Sequence, residues 1–283
     1  MEIIKTVAEM KALSKQWRDE GLSIGLVPTM GALHDGHLSL MARARKENDR
    51  VVASVFVNPL QFAPDEDYDN YPRDLEGDAA KAETQNIDAI FAPEVDDMYP
   101  AYFNSFVTVE GLTDTMEGVT RPTHFRGVCT VVNKLFNICD PDNAYFGQKD
   151  IQQLAIISRF ATDLNMRVKV NGCPIVREED GLAKSSRNVY LSPEERQAAL
   201  CLSRSLKRGK EVIEAGERDA AKVKQAVVEV LEAEPMADID YVEVADFNTM
   251  QYSDTISDAT VLAIAVRIGT TRLIDNYLCD LRD

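Results

Sequence analysis

The chain has 283 residues, 45% of them hydrophobic and 28% charged, and it carries a formal net charge of −16. These proportions are those of a globular protein, and the negative charge argues against nucleic acid as a partner because it repels phosphates. No apolar run approaches the length of a membrane span, no signal peptide is visible, and the five cysteines are scattered without a C-x-x-C pair. We therefore expect a cytoplasmic protein with reduced thiols and without a membrane or nucleic-acid partner.

The first part of the chain alternates short apolar runs with segments of helical periodicity, as βαβ units do. Residues 63–73 interrupt this pattern, because they are acidic, flanked by proline and without periodicity. They form either a gate over a binding cleft or an ordinary surface connection. The predicted strands are 24–27, 51–57, 89–92 and 168–173, and the predicted helices are 6–20, 38–48, 75–85, 130–140 and 151–164.

The pattern changes near residue 176, where charged helical segments give way to strands. Ser192 as N-cap and Pro193 at the first helical position mark a helix start. The elements predicted here are helices at 193–215 and 219–233 and strands at 239–244, 261–268 and 273–276, with a turn at 269–271. We predict an α/β protein with a Rossmann-like parallel sheet in an N-terminal domain, residues 1–175, and a smaller α+β domain, residues 176–283, that caps the cleft.

The most informative segment, residues 28–40, joins the first buried strand to the following helix. His34 and His37, two of only three histidines, flank Gly36 at the predicted helix N-terminus. Such an N-terminus offers free N–H groups and a partial positive charge, the imidazoles add donors, and a glycine lets a flat ligand approach the backbone. The segment predicts a nucleotide-phosphate site. A metal site is the competing interpretation, although zinc usually needs a third ligand.

Three further motifs accompany this segment, at residues 56–62, 146–150 and 184–188. Ligands collect at the carboxyl ends of the strands in an open parallel sheet, so residues 28–37 and 58–62 are expected to line one cleft. An acidic protein that binds a polyanion must also concentrate cations locally. The cations in or beside these motifs are Arg121, Arg126, Lys149, Lys184 and Arg187.

With these four motifs in this order, the chain resembles the pantoate–β-alanine ligase family of the HIGH-motif nucleotidylyltransferase superfamily over essentially its whole length. The resemblance implies an AMP-forming ligase that condenses (R)-pantoate with β-alanine, through pantoyl adenylate, to pantothenate, AMP and pyrophosphate. It also implies ATP, Mg²⁺ that bridges the phosphates, and a homodimer. The Mg²⁺ ligands are not predicted, and Asp78 is a candidate neighbour only because it lies near the acidic segment.

The resemblance further implies which residues act on ATP. The catalytic residues are His34, His37, Lys149 and Arg187, with the stronger role for His37 as proton donor or transition-state stabiliser. The implied ATP-binding residues are Met30, Gly31, His34, Gly36, His37, Gly147, Lys149, Asp150, Val176, Lys184, Ser185, Ser186 and Arg187. The family usually carries Met or Leu at the position of Lys184, so this lysine either adds a phosphate contact or points to solvent and offers only its backbone.

On the substrate side, Gln61 and Gln153 match the pantoate-binding glutamines of the family, and Met30 belongs to the loop around the nucleotide and pantoate. A neutral amide can read hydroxyls and a carboxylate without neutralising the nucleophile. Asn58 either holds the adjoining loop or touches ligand, and His124 either lines the pantoate pocket or orders the fold. Two other functions compete with the ligase: a nucleotidyltransferase with a phosphate acceptor, which the glutamines disfavour, and a nucleotide sensor, which the intact motifs disfavour.

Overall fold

The computed structural model describes residues 1–64, 66–279 and 281, and within them the chain forms two compact units. Each unit is assembled from separated segments. The first comprises Met1–Glu110, Thr120–Gln148 and Ile156–Pro174, and the second comprises Gly111–Val119, Lys149–Ala155 and the described part of Ile175–Asp283. The predicted domain boundary after residue 175 stays a prediction.

A six-stranded parallel sheet forms the centre of the first unit. Its strands are β1 (Glu2–Ile4), β2 (Ile24–Thr29), β3 (Arg50–Val55), β4 (Ala89–Phe91), β5 (Asn143–Gly147) and β6 (Lys169–Cys173). The order is β1-β4-β3-β2-β5-β6. Strands β3 and β4 therefore lie on one side of β2, and strands β5 and β6 lie on the other. Such a reversal leaves a ligand-binding crevice at the carboxyl ends of the two neighbouring strands, here β2 and β5. The predicted Rossmann-like α/β fold is confirmed.

The central strand β2 is buried as predicted, whereas strands β1 and β5 were not predicted from the sequence. Ile24, Leu26 and Val27 of β2 have no exposed surface, as a continuous apolar run in a parallel sheet predicts. Strand β1 has only three residues, which is too short to show a period. Strand β5 is bounded by Asn143 and Gly147 and contains Tyr145, so it does not form the plain apolar run that signals a buried strand.

Ten α-helices lie in the described residues: α1 (Val7–Asp19), α2 (Asp35–Glu47), α3 (Leu75–Glu83), α4 (Val95–Met98), α5 (Glu117–Thr120), α6 (His124–Cys139), α7 (Ile151–Asp163), α8 (Pro193–Ala198), α9 (Leu200–Glu214) and α10 (Ala220–Glu232). None of these helices is long and apolar enough to cross a membrane. Two predictions were wrong. Helix α6 begins six residues before the predicted start at 130, and the single helix predicted at 193–215 is two helices, α8 and α9.

The second unit contains an antiparallel sheet of β7 (Ala237–Asp246), β8 (Thr260–Ile268) and β9 (Thr271–Leu278), with β8 in the middle. Its core combines side chains of this sheet with those of α9 and α10. Gly209 allows α9 to approach its neighbours, since a Cβ there would lie 2.5 Å from Leu262 and 2.8 Å from Val227. The predicted smaller α+β unit is confirmed as a fold.

Candidate functional site

The loop between β2 and α2 starts with two residues in the left-handed backbone region. Gly31 has φ +87° and Ala32 has φ +50°. A Cβ at Gly31 would lie 2.9 Å from the Asp78 carboxylate and 3.2 Å from Val55, so only glycine fits without displacing a neighbour. The Asp78 side chain accepts hydrogen bonds from the N–H groups of Ala32 at 2.9 Å and Leu33 at 2.7 Å. A carboxylate of α3 therefore fixes the shape of this loop.

Asp78 thus has a structural task that its place near the acidic segment did not indicate. The residue is 1% exposed, and burial raises the pKa of its carboxyl, although the hydrogen bonds from Leu33 and Ala32 oppose this shift. Lys81, one helical turn later, donates to the carbonyl of Leu33 at 2.8 Å. Both backbone polar groups of Leu33 are therefore held by α3.

The imidazoles of His34 and His37 cap the N-terminus of α2. The N–H of Gly36 donates to Nδ1 of His34 at 3.1 Å, and the N–H of His34 donates to Nδ1 of His37 at 3.3 Å. Because both Nδ1 atoms accept, neither carries a proton, and each neutral ring has its proton on Nε2. The ring centroids are 4.1 Å apart. The capping geometry therefore supplies two neighbouring Nε2–H donors, a chemistry that suits an anion.

Gly36 has a structural role that was not predicted from the sequence. A Cβ at this position would lie 2.7 Å from Cε1 and 2.8 Å from Nδ1 of His34. The missing side chain therefore makes room for the His34 ring, whereas the sequence suggested room for a ligand. The role of Gly36 in ATP binding stays a prediction.

A connected set of polar side chains follows β3. Asn58 caps the 3₁₀ turn Pro59–Gln61, and its Nδ2 donates to Oε1 of Gln61 at 3.0 Å. Nε2 of Gln61 in turn donates to Sδ of Met30 at 3.2 Å. The structure therefore brings Met30 and Gln61 into contact, and it shows that Asn58, 1% exposed, holds the adjoining loop. Contact of Asn58 with substrate stays a prediction.

The main chain of Gln61 is held by His124. Nδ1 of His124 lies 2.9 Å from the Gln61 carbonyl, which can only accept, and Nε2 lies 3.3 Å from Nη1 of Arg121, which can only donate. These two contacts fit a ring that carries its proton on Nδ1. This ring orders the loop, and its place in the pantoate pocket stays a prediction.

Arg121 is tied to the acidic segment 63–73. Its Nε and Nη2 each donate to Glu66 at 2.6 Å, a two-pronged ion pair. Burial alone would raise the pKa of Glu66, but the hydrogen bonds and charge of Arg121 outweigh it and the pKa is lowered. Arg126 instead stacks 3.7 Å above the Phe106 ring. These two arginines therefore already have partners within the protein, which weakens the idea that they serve phosphates.

In the second unit, Lys149 and Asp150 belong to the 3₁₀ turn Gln148–Asp150 that leads into α7. The Lys149 ammonium lies 3.8 Å from the Asp150 carboxylate, and the Lys149 carbonyl accepts from Asn276 at 2.8 Å. The two glutamines that follow on α7 have different surroundings. Gln152 is buried and donates to backbone carbonyls of the second unit, whereas Gln153 is half-buried on α7.

The residues of the 184–188 motif form a capped 3₁₀ turn, Ser186–Tyr190. Oγ of Ser185 accepts from the N–H of Arg187 at 3.3 Å. The N–H of Lys184 donates to the carbonyl of Val176 at 3.0 Å. The Lys184 ammonium lies 3.2 Å from the Glu178 carboxylate, and the side chain is 19% exposed. Lys184 is therefore directed to a carboxylate rather than to solvent, and a phosphate contact stays a prediction.

The described residues contain neither a zinc-type ligand cluster nor a cysteine placed for nucleophilic chemistry. There, no cluster of three or more His, Cys, Asp or Glu side chains could hold a metal ion, so the histidine pair lacks the further ligands of a zinc site. All five cysteines are buried and unbridged, and burial raises the pKa of Cys129 to about 12 and that of Cys201 to about 11. A reactive thiolate is disfavoured at these two positions.

The roles of Tyr99 and Glu66 and the structural role of Asp78 were not predicted from the sequence. The hydroxyl of Tyr99 donates to Oδ1 of Asn58 at 2.7 Å, and Glu66 acts through Arg121 as described above. Each lies outside the recognised motifs and reaches its partner across a long stretch of chain. An excess of acids at 63–78 was the only local signal, and it did not distinguish one acid from another.

Comparison with known proteins gives one consistent result. A family model described as pantoate-beta-alanine ligase matches residues 2–278. A relative from Pelotomaculum thermopropionicum named pantothenate synthetase is 56% identical over 278 residues, which is 98% of this chain and 99% of the relative. The crystal structure of pantothenate synthetase from Thermus thermophilus matches with a TM-score of 0.93 at 48% identity, covering 98% of this chain and 99% of that one. The pantoate-beta-alanine ligase of Francisella tularensis, complexed with beta-gamma ATP and beta-alanine, matches with a TM-score of 0.79 at 32% identity, covering 98% and 97%.

Proposed function

This chain belongs to the pantoate–β-alanine ligase family, and from that premise we propose that it condenses pantoate with β-alanine in two steps at the expense of ATP. In the first step the pantoate carboxylate attacks the α-phosphate, pyrophosphate leaves, and pantoyl adenylate forms. In the second step the amine of β-alanine attacks the acyl carbon, and AMP leaves. The structural observation that carries the proposal is the pair of Nε2–H donors that the α2 cap creates on His34 and His37.

Charge is the physical difficulty of the first step. A carboxylate must approach a phosphate that is already negative, and further charge develops on the leaving pyrophosphate. We assign His37, supported by His34, to stabilise that charge by donating from Nε2, and the partial positive charge of the α2 N-terminus adds to it. These groups are held before ATP arrives, so they contribute positioning and electrostatic stabilisation rather than covalent catalysis.

The remaining ATP contacts are proposed from the resemblance, residue by residue. Lys149 and Arg187 are the cations for the phosphates, because an ammonium and a planar guanidinium both suit phosphate oxygens. The other proposed ATP-binding residues are Met30, Gly31, Gly36, Gly147, Asp150, Val176, Lys184, Ser185 and Ser186.

Pantoate recognition is proposed to rest on uncharged groups. Gln61 and Gln153 offer amide donors and acceptors to the hydroxyls and carboxylate, with Met30 beside Gln61. A cation in their place would pair with the carboxylate and weaken it as a nucleophile. This choice of amides favours a carboxylate nucleophile over a phosphate acceptor, and so favours the ligase over a nucleotidyltransferase.

We propose from the resemblance that a Mg²⁺ ion takes part in the reaction. In nucleotide enzymes Mg²⁺ keeps several of its waters and would need only one or two carboxylates beside the substrate phosphates. When bound, the ion supplies charge neutralisation on the triphosphate. We also propose a homodimer, which follows from the resemblance, and a cytoplasmic location, which follows from the scattered cysteines and the N-terminal sequence.

The test is to follow AMP and pyrophosphate by phosphorus NMR after the protein is mixed with ATP, Mg²⁺ and pantoate. We expect one equivalent of pyrophosphate per active site with pantoate alone and steady AMP release once β-alanine is added. Omission of pantoate is the control and should abolish both products. Pyrophosphate release that does not depend on pantoate would refute the ligase. If AMP forms with pantoate alone and pyrophosphate does not stop at one equivalent per active site, the adenylate is not retained by the enzyme.

A further inference from the structure

A hydrogen-bond chain joins Tyr99 to Gln61 through Asn58. The Tyr99 hydroxyl donates to Oδ1 of Asn58 at 2.7 Å, and Nδ2 of Asn58 donates to Oε1 of Gln61 at 3.0 Å. We propose that Tyr99 is a positioning residue that holds the Asn58 amide in place, so that Asn58 in turn orients the Gln61 amide as a donor towards pantoate. This inference rests on the proposed function only for the identity of the ligand.

The orientation of the Asn58 amide follows from backbone chemistry. Oδ1 of Asn58 lies 3.3 Å from the N–H of Leu60, which can only donate, and Nδ2 lies 3.1 Å from the carbonyl of Gly127, which can only accept. Reversal of the amide would set donor against donor and acceptor against acceptor. Asn58 is 1% exposed, so water cannot easily compensate for such a reversal.

The orientation of the Gln61 amide follows in turn. Because Nδ2 of Asn58 donates to it, the Gln61 atom that faces Asn58 must be the oxygen. The amino group of Gln61 therefore faces the other way, where it donates to Sδ of Met30 at 3.2 Å. A thioether is a weak acceptor, so a ligand oxygen can compete for this amino group. The amino group suits a carboxylate or hydroxyl oxygen of pantoate and rejects an ammonium or amide N–H at the same place.

Tyr99 is suited to hold the far end of the hydrogen-bond chain that runs through Asn58 to Gln61. Burial raises the pKa of its hydroxyl well above the ordinary value, so the group stays protonated and keeps donating. The ring packs against Phe56 and Phe103, with centroids 6.1 Å and 5.0 Å away, and the Lys134 ammonium lies 5.8 Å from its centroid. A ring fixed in this way cannot swing its hydroxyl away from Asn58 without losing these contacts.

The experiment compares Tyr99→Phe with Tyr145→Phe. The control removes the same single oxygen atom from a fully buried tyrosine of the same unit, whose hydroxyl bonds to Glu47 and Asn48 and has no link to Gln61. With loss of one neutral hydrogen bond, we expect Tyr99→Phe to raise KM for pantoate roughly three- to tenfold while KM for ATP changes less than about twofold. Tyr145→Phe should leave both constants as in the wild type.

Action through Gln61 is tested by combining variants. If Tyr99 works by orienting Gln61, then Tyr99→Phe should add no further rise in KM for pantoate when Gln61 is already alanine. A rise of the same size in the Gln61→Ala background overturns the proposal, because Tyr99 would then act by another route. Equal behaviour of Tyr99→Phe and Tyr145→Phe also overturns it.

A substrate-free measurement separates this inference from the proposed function. The side-chain amide resonance of Gln61, identified by its loss in Gln61→Ala, should shift in Tyr99→Phe and stay in place in Tyr145→Phe. An unshifted resonance refutes the positioning role even if the protein is a ligase. A shifted resonance supports that role even if the protein fails to release pyrophosphate in response to pantoate.

Discussion

Replacement of Asp78 by alanine should release the loop that leads to the histidine pair. The carboxylate of Asp78 accepts from the N–H groups of Ala32 and Leu33, and alanine offers no acceptor in its place. Gly31 and Ala32, both in the left-handed region, depend on this support, because nothing in the conformational preference of alanine favours that region at Ala32. The perturbation therefore links the stability of the fold to the shape of the candidate site.

The magnitude follows from the burial of each N–H. The bond to Leu33 is fully buried, so its donor stays unpaired in the variant, which costs about 1–3 kcal/mol. The bond to Ala32 is partly exposed, so water replaces it and the loss is about 1 kcal/mol. The raised pKa of Asp78 shows that burial of the charge already opposes part of the gain. The two losses sum to about 2–4 kcal/mol, and because removal of the buried charge offsets part of this sum, we expect a net loss of about 1–3 kcal/mol in the free energy of unfolding.

Urea unfolding at neutral pH measures this loss, with two companion variants as controls. Asp78→Asn keeps one acceptor oxygen but turns its amino group towards the other N–H, so it should also lower the free energy of unfolding. Glu76→Ala removes an exposed acid from the same first turn of α3 and should change the free energy by less than about 0.5 kcal/mol. Asp78→Ala should also raise KM for ATP. If Asp78→Ala is no less stable than Glu76→Ala, the assigned role of the carboxylate is wrong.

The other predictions concern the cap, the cations and the acidic segment. His37→Ala and Lys149→Ala should each lower turnover by about a hundredfold or more while the circular dichroism spectrum stays native, and near-normal turnover in either removes that residue from the mechanism. Gly36→Ala should displace the His34 ring, since a Cβ would lie 2.7 Å from it. The turnover number should fall, whereas the melting temperature should change little. The lowered pKa of Glu66 means that its ion pair stabilises the fold above its ordinary pKa of 4.5 and is lost as the pH falls through the lowered value. Acid titration of stability should therefore be flatter in Glu66→Gln, and identical curves would contradict the ion pair.

Local patterns were sufficient to predict the centre of the fold. The apolar run of β2 and the helical segment predicted at 38–48 are short-range signals, and β2 and α2 both lie within a few residues of the predicted bounds. The start of α6 was predicted six residues late. Gly127 looks like a helix breaker within the sequence, but a Cβ there would lie 2.3 Å from the carbonyl oxygen of Leu60, so the glycine serves a close approach to another segment.

Long-range partners explain why part of the candidate site was not predicted. Tyr99 lies 41 residues from Asn58, Asp78 lies 45 residues from Leu33, and Arg121 lies 55 residues from Glu66. Each bond depends on where the sheet places two distant loops, and no periodicity or motif reports that. Asn58 and His124 came from motifs like the directly recognised residues, whereas Tyr99, Glu66 and the role of Asp78 are identified only by their contacts in the structure.

The electrostatic argument from composition also changes. An acidic chain that binds ATP was expected to gather cations, yet Arg121 is paired with Glu66, Arg126 lies over Phe106, and Lys184 faces Glu178. The groups that the first unit prepares are neutral: imidazole Nε2–H donors and the amino group of a glutamine. Neutral donors attract phosphate and carboxylate oxygens without forming the ion pair that would lower the reactivity of the attacking carboxylate. The net charge of the chain therefore does not conflict with a nucleotide site, because fixed dipoles act over short distances that the overall negative field does not control.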